Sequence, residues 1–320
     1  MPHEPANPQA TPEARKLLEL LYSISGRKTL SGQHNYPGFH SDYSIHAYRI
    51  VGRHPAIWGQ DFGFTADGKD GINHREANIE EAIRRHREGS IITLMWHAAR
   101  PVDDEPNGWK ESVQNKLTDD QWRELMRVGS PLYERWLRQL AVVAGYLARL
   151  RDFRIPVLWR PYHEMNGDWF WWGFRPGSQG SAALYRQMFE VLTKQFGLNN
   201  LLWVWNANMT GEDGKGPGPY QDYYPGHGCV DILATDVYGG NYRREDYEGL
   251  LKVAEGKPIA LGEVGKVPPP ELFKRQHRWA WFMIWPDFLE RENSPGNIRE
   301  LYQSSRVLSR DDVANAWGRD

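Results

Sequence analysis

The sequence predicts a single-domain α/β protein, a closed (β/α)8 barrel of the TIM type. Eight short β-rich runs recur along the 320 residues, and amphipathic helical patterns separate most of them. Several runs are continuously apolar at their centres, such as 91–96 (IITLMW), as expected for strands buried on both faces. An open doubly wound sheet is the alternative. It would carry a glycine-rich phosphate loop after its first strand, whereas residues 30–34 read LSGQH.

The predicted strands divide the chain into regular units. They cover residues 29–35, 56–62, 91–97, 156–163, 201–206, 231–238, 258–263 and 279–285. Residues 1–28 are predicted to form an N-terminal extension and a first helix, and residues 29–320 the catalytic barrel.

Two of the intervening helices have clear apolar faces. One face carries Leu132, Trp136, Leu140, Val143, Leu147 and Leu150, and the other carries Leu184, Met188, Val191 and Leu192. Thr118 followed by Gln121 predicts a capping box at the start of the first region. Gly197 is suited to end the second helix.

The overall charge and the cysteine count exclude several classes of protein. The formal net charge is −2, from 39 basic and 41 acidic residues, which gives no electrostatic reason to expect nucleic acid or an anionic membrane as partner. The single cysteine, Cys229, excludes a disulfide within the chain and a zinc site of several thiolates. We expect a monomer with no cofactor and no metal.

The N-terminal residues bear on location. Residues 1–12 are rich in proline and polar residues and lack the apolar core of a signal peptide, and no apolar run is long enough to span a membrane. We expect an extracellular or periplasmic protein whose signal peptide is not part of this chain. A cytoplasmic location remains open.

Aromatic residues are unusually abundant, at 13% of the chain with 15 tryptophans. A large barrel core accounts for some of them. The remainder suit a sugar-binding cleft, because the flat C–H faces of pyranose rings stack on aromatic rings while the ring edges need polar partners.

The residues that end the predicted strands are chemically mixed. In barrels of this type the chemistry lies at the C-terminal ends of the strands. The strand-end residues are His34, Asn35, Asp61, His97, His163, Glu164, Asn206, Asn208, Asp236, Tyr238, Glu263 and Trp285. Carboxylates, histidines, amides and aromatics together indicate a carbohydrate site. Asp61 is interpreted as a rim residue outside that site.

Two strands each deliver a glutamate to the predicted mouth of the barrel. Glu164 ends the fourth strand and Glu263 ends the seventh. Hydrolysis of a glycosidic bond needs one carboxylic acid and one carboxylate, which a retaining enzyme holds about 5–5.5 Å apart. The aromatic run 169–172 could keep Glu164 protonated by desolvation. A purely structural ion pair, for example with Arg160, is the alternative for either glutamate.

The sequence around both glutamates resembles glycoside hydrolase family 26, which includes many β-mannanases. The segments that carry the resemblance are 160–167 (RPYHEMNG), 169–173 (WFWWG), 262–265 (GEVG), 30–34 (LSGQH), 96–97 (WH), 234–238 (ATDVY) and 282–285 (FMIW). They match in order over residues 29–285. The long motif around Glu164 is specific to the family, whereas Gly-Glu-x-Gly alone is weak.

The resemblance implies an endo-β-1,4-mannanase acting on mannan, glucomannan or galactomannan by a retaining, double-displacement mechanism. It implies Glu164 as acid/base and Glu263 as nucleophile, with no metal. The residues implied to bind substrate are His97, His163, Trp169, Tyr238, Trp285 and, less securely aligned, Trp109 as a distal stacking residue. Tyr238 would also hold the nucleophile, and Arg160 and Asp236 would orient the carboxylates from behind.

Two departures and three alternatives accompany this resemblance. Pro286 follows the strand-eight tryptophan where some relatives carry a basic residue, and residues 266–270 (KVPPP) are rich in proline. The same catalytic machinery could act on mixed-linkage β-glucan or xylan. A non-catalytic polysaccharide-binding barrel is a second alternative. A metal-dependent hydrolase using His97, His163 and Glu164 is the third, which the strand alternation of adjacent residues disfavours.

Overall fold

The fold is known from a computed structural model, which describes residues 3–65, 71–212 and 215–314. Within these residues, nine strands form one parallel sheet. They are β1 (Thr29–His34), β2 (Ile57–Asp61), β3 (Ile91–Trp96), β4 (Val157–Pro161), β5 (Leu201–Asn208), β6 (Ile232–Val237), β7 (Ile259–Val264), β8 (Trp279–Ile284) and β9 (Val307–Leu308). The first eight lie where the sequence predicted them, within two residues at either end.

The first eight strands close into a barrel. Their order is β2-β3-β4-β5-β6-β7-β8-β1, and a further parallel pairing of β1 with β2 closes the ring. The two-residue strand β9 pairs with the start of β1 and was not predicted. The sheet is therefore the predicted (β/α)8 barrel, because an open doubly wound sheet would leave two free edges.

Helices lie between most of the strands. They are α1 (Pro12–Ile24), α2 (Asp42–Val51), α3 (Arg75–Arg87), α4 (Asp119–Leu125), α5 (Pro131–Asp152), α6 (Ser181–Glu190), α7 (Arg244–Ala254), α8 (Leu272–Arg275), α9 (Phe288–Arg291), α10 (Pro295–Gln303) and α11 (Arg310–Val313). No helix in the described part of the chain is long and apolar enough to cross a membrane.

The capping box at Thr118 and Gln121 is present, but it begins a different helix from the one predicted. Thr118 caps the seven-residue helix α4, whereas the long helix α5 has its own N-cap, Ser130. A proline at the first position of α5 fits this second start, because its missing N–H would have no helical partner there. Gly197 has a φ of +60° and follows the turn after α6, as the sequence predicted.

Helix α1 covers one end of the barrel. Its buried residues Leu17, Leu18 and Leu21 belong to the same apolar cluster as residues from all eight barrel strands, including Leu30 and Trp281. The segment before α1 is tied to the barrel as well, since the Ala6 N–H donates to Asp231 over 2.6 Å. The predicted N-terminal extension therefore packs against the barrel. Residues 1–2 and 315–320 of the predicted domains lie outside the described residues.

We expect Leu18→Ala to lower the free energy of unfolding by about 2–5 kcal/mol, because it empties a fully buried position between α1 and the barrel. Urea unfolding followed by tryptophan fluorescence measures the change. Glu19→Ala, at an exposed position on the same helix, is the matched control and should change the free energy by less than about 0.5 kcal/mol. Equal stability of the two variants would contradict the role assigned to α1.

Candidate active site

Glu164 lies in a strained turn just beyond β4. The strand ends at Pro161, and both Tyr162 and Glu164 adopt left-handed backbone conformations, with φ of +48° and +54°. Such conformations cost about 1–3 kcal/mol each in a non-glycine residue. The Glu164 N–H donates to the Asn206 carbonyl over 2.7 Å, which fixes the turn against β5.

This turn corrects the predicted fourth strand, which extended to His163. Since His163 and Glu164 lie in a turn, the alternation of side chains along a strand does not govern where they point. The sequence argument that these two neighbours cannot face the same point therefore rested on a wrong premise.

The Glu164 carboxylate accepts two short hydrogen bonds. Asn208 Nδ2 donates to Oε1 over 2.6 Å and the indole N–H of Trp169 donates to Oε2 over 2.6 Å. Burial first, and the neighbouring charge of Glu263 second, raise the pKa of Glu164 to about 7, although the two donors oppose the shift. Glu164 therefore carries a proton near neutral pH in a substantial fraction of molecules.

Glu263 is delivered by an irregularity in β7. Thr235 pairs with Leu261 and Asp236 pairs with Glu263, so the register skips Gly262. A Cβ atom at Gly262 would lie 1.7 Å from Asn206 Oδ1 and 2.7 Å from Asp236 Oδ1. Only glycine fits here, because polar side chains from β5 and β6 pass against this backbone.

Two donors hold the Glu263 carboxylate. Arg160 donates to Oε1 over 2.8 Å and the Tyr238 hydroxyl donates to Oε2 over 2.6 Å. Arg160 is itself held by Asn206, whose Oδ1 accepts over 2.6 Å. The ion pair with Arg160 that the sequence offered as a structural alternative does exist. It lies inside the carboxylate cluster and positions Glu263 there.

The two glutamates meet at the barrel mouth together with Asp236. One carboxylate oxygen from each of Glu164, Asp236 and Glu263 lies within 4.8 Å of the other two. This close approach is consistent with the short separation of carboxyl groups in retaining glycosidases, roughly 5–5.5 Å. Burial, and then the charges of Glu263 and Glu164, raise the pKa of Asp236 well above its usual value. A proton on Asp236 relieves the repulsion in this cluster.

His97 is paired with Asp61, a residue that the sequence analysis left out of the site. His97 Nδ1 lies 2.6 Å from Asp61 Oδ2, and the His97 N–H donates to Oδ1 over 3.1 Å. Burial opposes ionisation of Asp61, but the charge and hydrogen bonds of His97 and the Gly63 N–H hold its pKa below the usual value. Asp61 thus fixes both the backbone and the ring orientation of His97.

His163 lies between His97 and the carboxylates. Its ring centroid is 4.5 Å from that of His97 at 88°, and its Nε2 is 3.9 Å from Glu263 Oε1. Burial first, and the charges of His97 and Arg160 second, lower the pKa of His163 well below 6.5. His163 is therefore neutral and offers one donor and one acceptor to a polar ligand.

A cavity of about 800 Å³ opens beside these residues. Its lining includes His34, His97, Trp109 and Trp285. Trp285 stacks on His34 at 4.7 Å, and Trp109 meets the His97 ring edge at 5.0 Å. Trp109, predicted as a distal stacking residue, therefore lies against His97 in the wall of this cavity. Flat aromatic faces beside polar edges are suited to pyranose rings.

The aromatic residues of the run 169–172 have two different roles. Trp169 is partly exposed and bonds Glu164, whereas Trp171 and Trp172 are almost fully buried. Trp171 donates to the Ala98 carbonyl and Trp172 donates to the His163 carbonyl, each over 2.8 Å. These two are packing residues that hold the loop, and Trp172 ties it to the turn that carries Glu164.

Sequence reasoning also missed Asn206 and Asn208 as site residues. Both were recognised at the end of the fifth strand but were left without a role. In the structure β5 continues to Asn208, and residues two apart on a strand share a face. Asn206 therefore reaches Arg160 while Asn208 reaches Glu164. The sequence signal that could have identified them was the pair of amide side chains two positions apart at the end of a predicted strand.

The described residues do not combine into the metal site that the third alternative required. Within residues 3–65, 71–212 and 215–314, the cluster with the spacing of metal ligands is Glu164, Asp236 and Glu263, without a histidine. His97 is engaged by Asp61 instead. Arg160 supplies positive charge to this cluster, 2.8 Å from Glu263 and 3.7 Å from Asp236.

A parallel (β/α)8 barrel with two carboxylates this close at its mouth has the arrangement of a glycoside hydrolase. Comparison with known proteins identifies the family. Residues 6–312 match the family model of glycosyl hydrolase family 26, and the chain belongs to that family.

Individual relatives agree with this assignment. A mannan endo-1,4-beta-mannosidase of Thermothelomyces thermophilus is 33% identical over 96% of the chain, which spans 62% of that protein. The solved structure of GH26A from Muricauda sp. is 43% identical, with a TM-score of 0.91 over 96% of this chain and 99% of that one. The Podospora anserina GH26-CBM35 beta-(1,4)-mannanase is 32% identical, with a TM-score of 0.83 over 99% of this chain and 71% of that one.

We expect Glu263→Gln to lower the pKa of Glu164 below about 7, because it removes the neighbouring negative charge. The pKa should remain above the ordinary glutamate value, since the burial of Glu164 persists. Carbon-13 NMR of labelled glutamate carboxyl groups, titrated with pH, measures the change. Asp61→Asn, which neutralises a buried carboxylate bound to His97, is the control. A Glu164 pKa that is unchanged in Glu263→Gln would refute the coupling.

Proposed function

We propose that this chain is a retaining endo-β-1,4-mannanase that cleaves mannan, glucomannan or galactomannan by double displacement. The observation that carries the proposal is the pair of buried carboxylates, Glu164 and Glu263, within 4.8 Å of each other in a family 26 barrel. The mannanases among its relatives support the choice of substrate. Because the chain spans only 62% of the first of these relatives, the activity stands as a proposal.

Glu263 is the proposed nucleophile. Its two oxygens are held by Arg160 and Tyr238, so the carboxylate needs no conformational search before it attacks the anomeric carbon. Attack forms a glycosyl ester, and the bond to the leaving-group oxygen breaks. Arg160 and Tyr238 are positioning residues in this step.

Glu164 is the proposed acid/base. With a pKa near 7 it can hold the proton that the leaving-group oxygen needs during the first step. Once Glu263 is esterified its charge is gone, so the repulsion that raised the pKa of Glu164 falls. Glu164 then becomes a better base toward the incoming water, and the same residue serves both steps.

The sign of the pH dependence follows from this pKa. Since the first step needs protonated Glu164, its rate falls as pH rises through about 7.

Mannose differs from glucose in the axial hydroxyl at C2. His97 and the neutral His163 are the proposed partners for sugar hydroxyls near the cleaved bond, with Trp285 as the stacking floor and Trp169 across from it.

Two alternatives from the sequence analysis can be tested by experiment, a different polysaccharide substrate and a non-catalytic binding barrel. The same machinery acting on xylan or mixed-linkage β-glucan would need only different hydroxyl partners. A non-catalytic binding barrel is opposed by the strained turn at Glu164, because such strain is costly without a catalytic role. We also propose that the protein acts outside the cytoplasm, since polymeric mannan does not enter cells. We further propose that it is a monomer.

Reducing-sugar release from mannan, glucomannan, galactomannan, xylan and lichenan in parallel tests the substrate. We expect the three mannose-containing polymers to be cleaved at least tenfold faster than the others, because one lost or misplaced hydroxyl partner is worth about 1–3 kcal/mol. Glu263→Ala is the control for a contaminating activity. Hydrolysis confined to xylan or lichenan would overturn the substrate and leave the mechanism intact.

Substitution of each glutamate tests the mechanism on an aryl β-mannoside with a good leaving group. Glu164→Ala should form the glycosyl-enzyme readily and then stall, because each step that loses general acid or base help slows about 10²–10⁴-fold. Azide needs no base, so it should restore turnover and yield a β-mannosyl azide. Glu263→Ala should lose both steps.

Product stereochemistry decides between the two assignments. Azide rescue of Glu263→Ala with an α-mannosyl azide product agrees with Glu263 as nucleophile, because azide then attacks the face that the missing carboxylate would have attacked. A β-mannosyl azide from Glu263→Ala, with an α-mannosyl azide from Glu164→Ala, would show that the roles of Glu164 and Glu263 are reversed. Full activity in either alanine variant would show that this pair is not the catalytic one. Nuclear magnetic resonance of the azide product distinguishes the anomers.

A further inference from the structure

Two chain segments form part of the wall of the central cavity. They are the β2 segment, residues 62–65 after strand β2, and the β3–α4 loop, residues 97–118. The β2 segment contributes Phe64 and Thr65 to the lining, and the β3–α4 loop contributes His97 and residues 108–111, which include Trp109.

The two segments meet directly at the cavity wall. The Phe64 and Trp109 rings lie 4.6 Å apart at 52°. The Thr65 N–H donates to the Asn107 carbonyl over 3.0 Å. Both rings are partly exposed, and contacts of this kind are individually weak. The position of Trp109 therefore depends on how firmly the two segments are joined elsewhere.

A buried ion pair joins the same two segments. Arg75 is the first residue of α3 and is only 2% exposed. Its guanidinium donates to both carboxylate oxygens of Glu105, in the β3–α4 loop, over 2.7 and 2.8 Å. Its Nε also donates to the Phe62 carbonyl over 2.9 Å. One side chain therefore holds the β3–α4 loop against the β2 segment.

This contact requires an arginine. The planar guanidinium matches both oxygens of a carboxylate and still has an N–H for the Phe62 carbonyl, whereas a lysine ammonium is a point charge. The side chains of Arg75 and Glu105 are 2% and 14% exposed, so water and salt compete little with the pair. The main effect of such a buried pair is to fix geometry, because desolvation offsets much of its attraction.

The catalytic end of the β2 segment is fixed separately from this pair. The Phe62 N–H donates to the Met95 carbonyl over 2.9 Å, and Asp61 pairs with Met95 in the parallel ladder of β2 and β3. Asp61 in turn holds His97. The ladder therefore keeps Asp61 and His97 in place without Arg75, while Trp109 lies farther along the loop, near Glu105.

We propose that Arg75 is a positioning residue for substrate binding. Through Glu105 and the Phe62 carbonyl it holds the β3–α4 loop so that Trp109 stays in the wall of the central cavity. The proposal rests on the mannanase function proposed above, in which Trp109 binds sugar. Loss of the ion pair lets the Trp109 ring move and leaves the two catalytic glutamates in place, so it weakens binding and spares the chemical steps.

Arg75→Lys tests the proposal, because it keeps the positive charge and removes the planar fork. With mannopentaose as substrate we expect KM to rise about three- to tenfold, the worth of one aromatic contact, and kcat to change less than about twofold. Trp109→Ala should raise KM by a similar factor. In the double variant Arg75→Lys should add no further rise, because the ring through which it acts is gone.

Arg84→Lys is the matched control for this substitution. Arg84 lies on the same helix and also donates twice to one carboxylate, that of Glu81, over 2.7 and 2.6 Å. Its side chain is 51% exposed and touches neither segment of the cavity wall in these bonds. The control should leave both KM and kcat unchanged.

A second variant protects the test against a folding defect. Arg75→Met combined with Glu105→Gln removes both charges together, so neither is left buried and unpaired. It should raise KM as Arg75→Lys does. Thermal melting confirms that each variant is folded.

Fluorine NMR of protein labelled with 5-fluorotryptophan tests the positioning without substrate. The Trp109 signal is assigned by its absence from Trp109→Phe. It should shift or broaden in Arg75→Lys and remain unchanged in Arg84→Lys, because only the first substitution releases the β3–α4 loop.

The outcomes separate the positioning role from the function on which it rests. A fall in kcat at unchanged KM, a rise in KM that adds to that of Trp109→Ala, or an unchanged Trp109 signal in Arg75→Lys would each overturn the role of Arg75. Wild-type protein that cleaves no manno-oligosaccharide overturns the mannanase function instead. In that case the fluorine signal still decides whether Arg75 positions Trp109.

Discussion

The repulsion between two buried carboxylates is the constraint on which the rest of this site depends. Glu164 and Glu263 lie within 4.8 Å of each other at the barrel mouth, where burial weakens the screening of their charges. Two carboxylates this close cannot both ionise without compensation. The protein resolves the conflict asymmetrically. Arg160 pairs with Glu263, and the proton is left to Glu164. This asymmetry is also what gives the two residues different chemistry.

Holding these two carboxylates in place requires unfavourable local backbone conformations, which the stability of the whole barrel compensates. The backbone is left-handed at Glu164 and Tyr162, and the register of β7 skips Gly262, whose missing side chain leaves room for Asn206. Each of these breaks a local rule of regular structure, and each lies within the site. Departures from local preference are expected where function demands them, because a large and well-packed core can sustain the strain.

The walls of the cleft follow a second physical requirement, which is to bind a ligand that is flat and apolar on its faces and polar at its edges. Aromatic rings such as Trp285 and Trp109 provide the faces, and His97 provides a polar edge whose orientation Asp61 fixes. Trp285 is held in turn by Tyr36, whose hydroxyl accepts from the indole N–H over 3.1 Å and donates to Asp287 over 2.5 Å. The cleft is thus a continuous surface built from the ends of several strands, as expected of this fold.

The sequence by itself determined the eight strands and the two glutamates at strand ends, because apolar periodicity and chain order are local properties. The tertiary structure alone decided that Asp61 orients His97, since this contact joins residues 36 positions apart on neighbouring strands. It also decided that Asn208 bonds Glu164, which depends on where β5 stops. Contacts of this kind follow from strand register and turn geometry. Strand register and turn geometry are set by the packing of the whole barrel, so they leave no periodic pattern in the sequence.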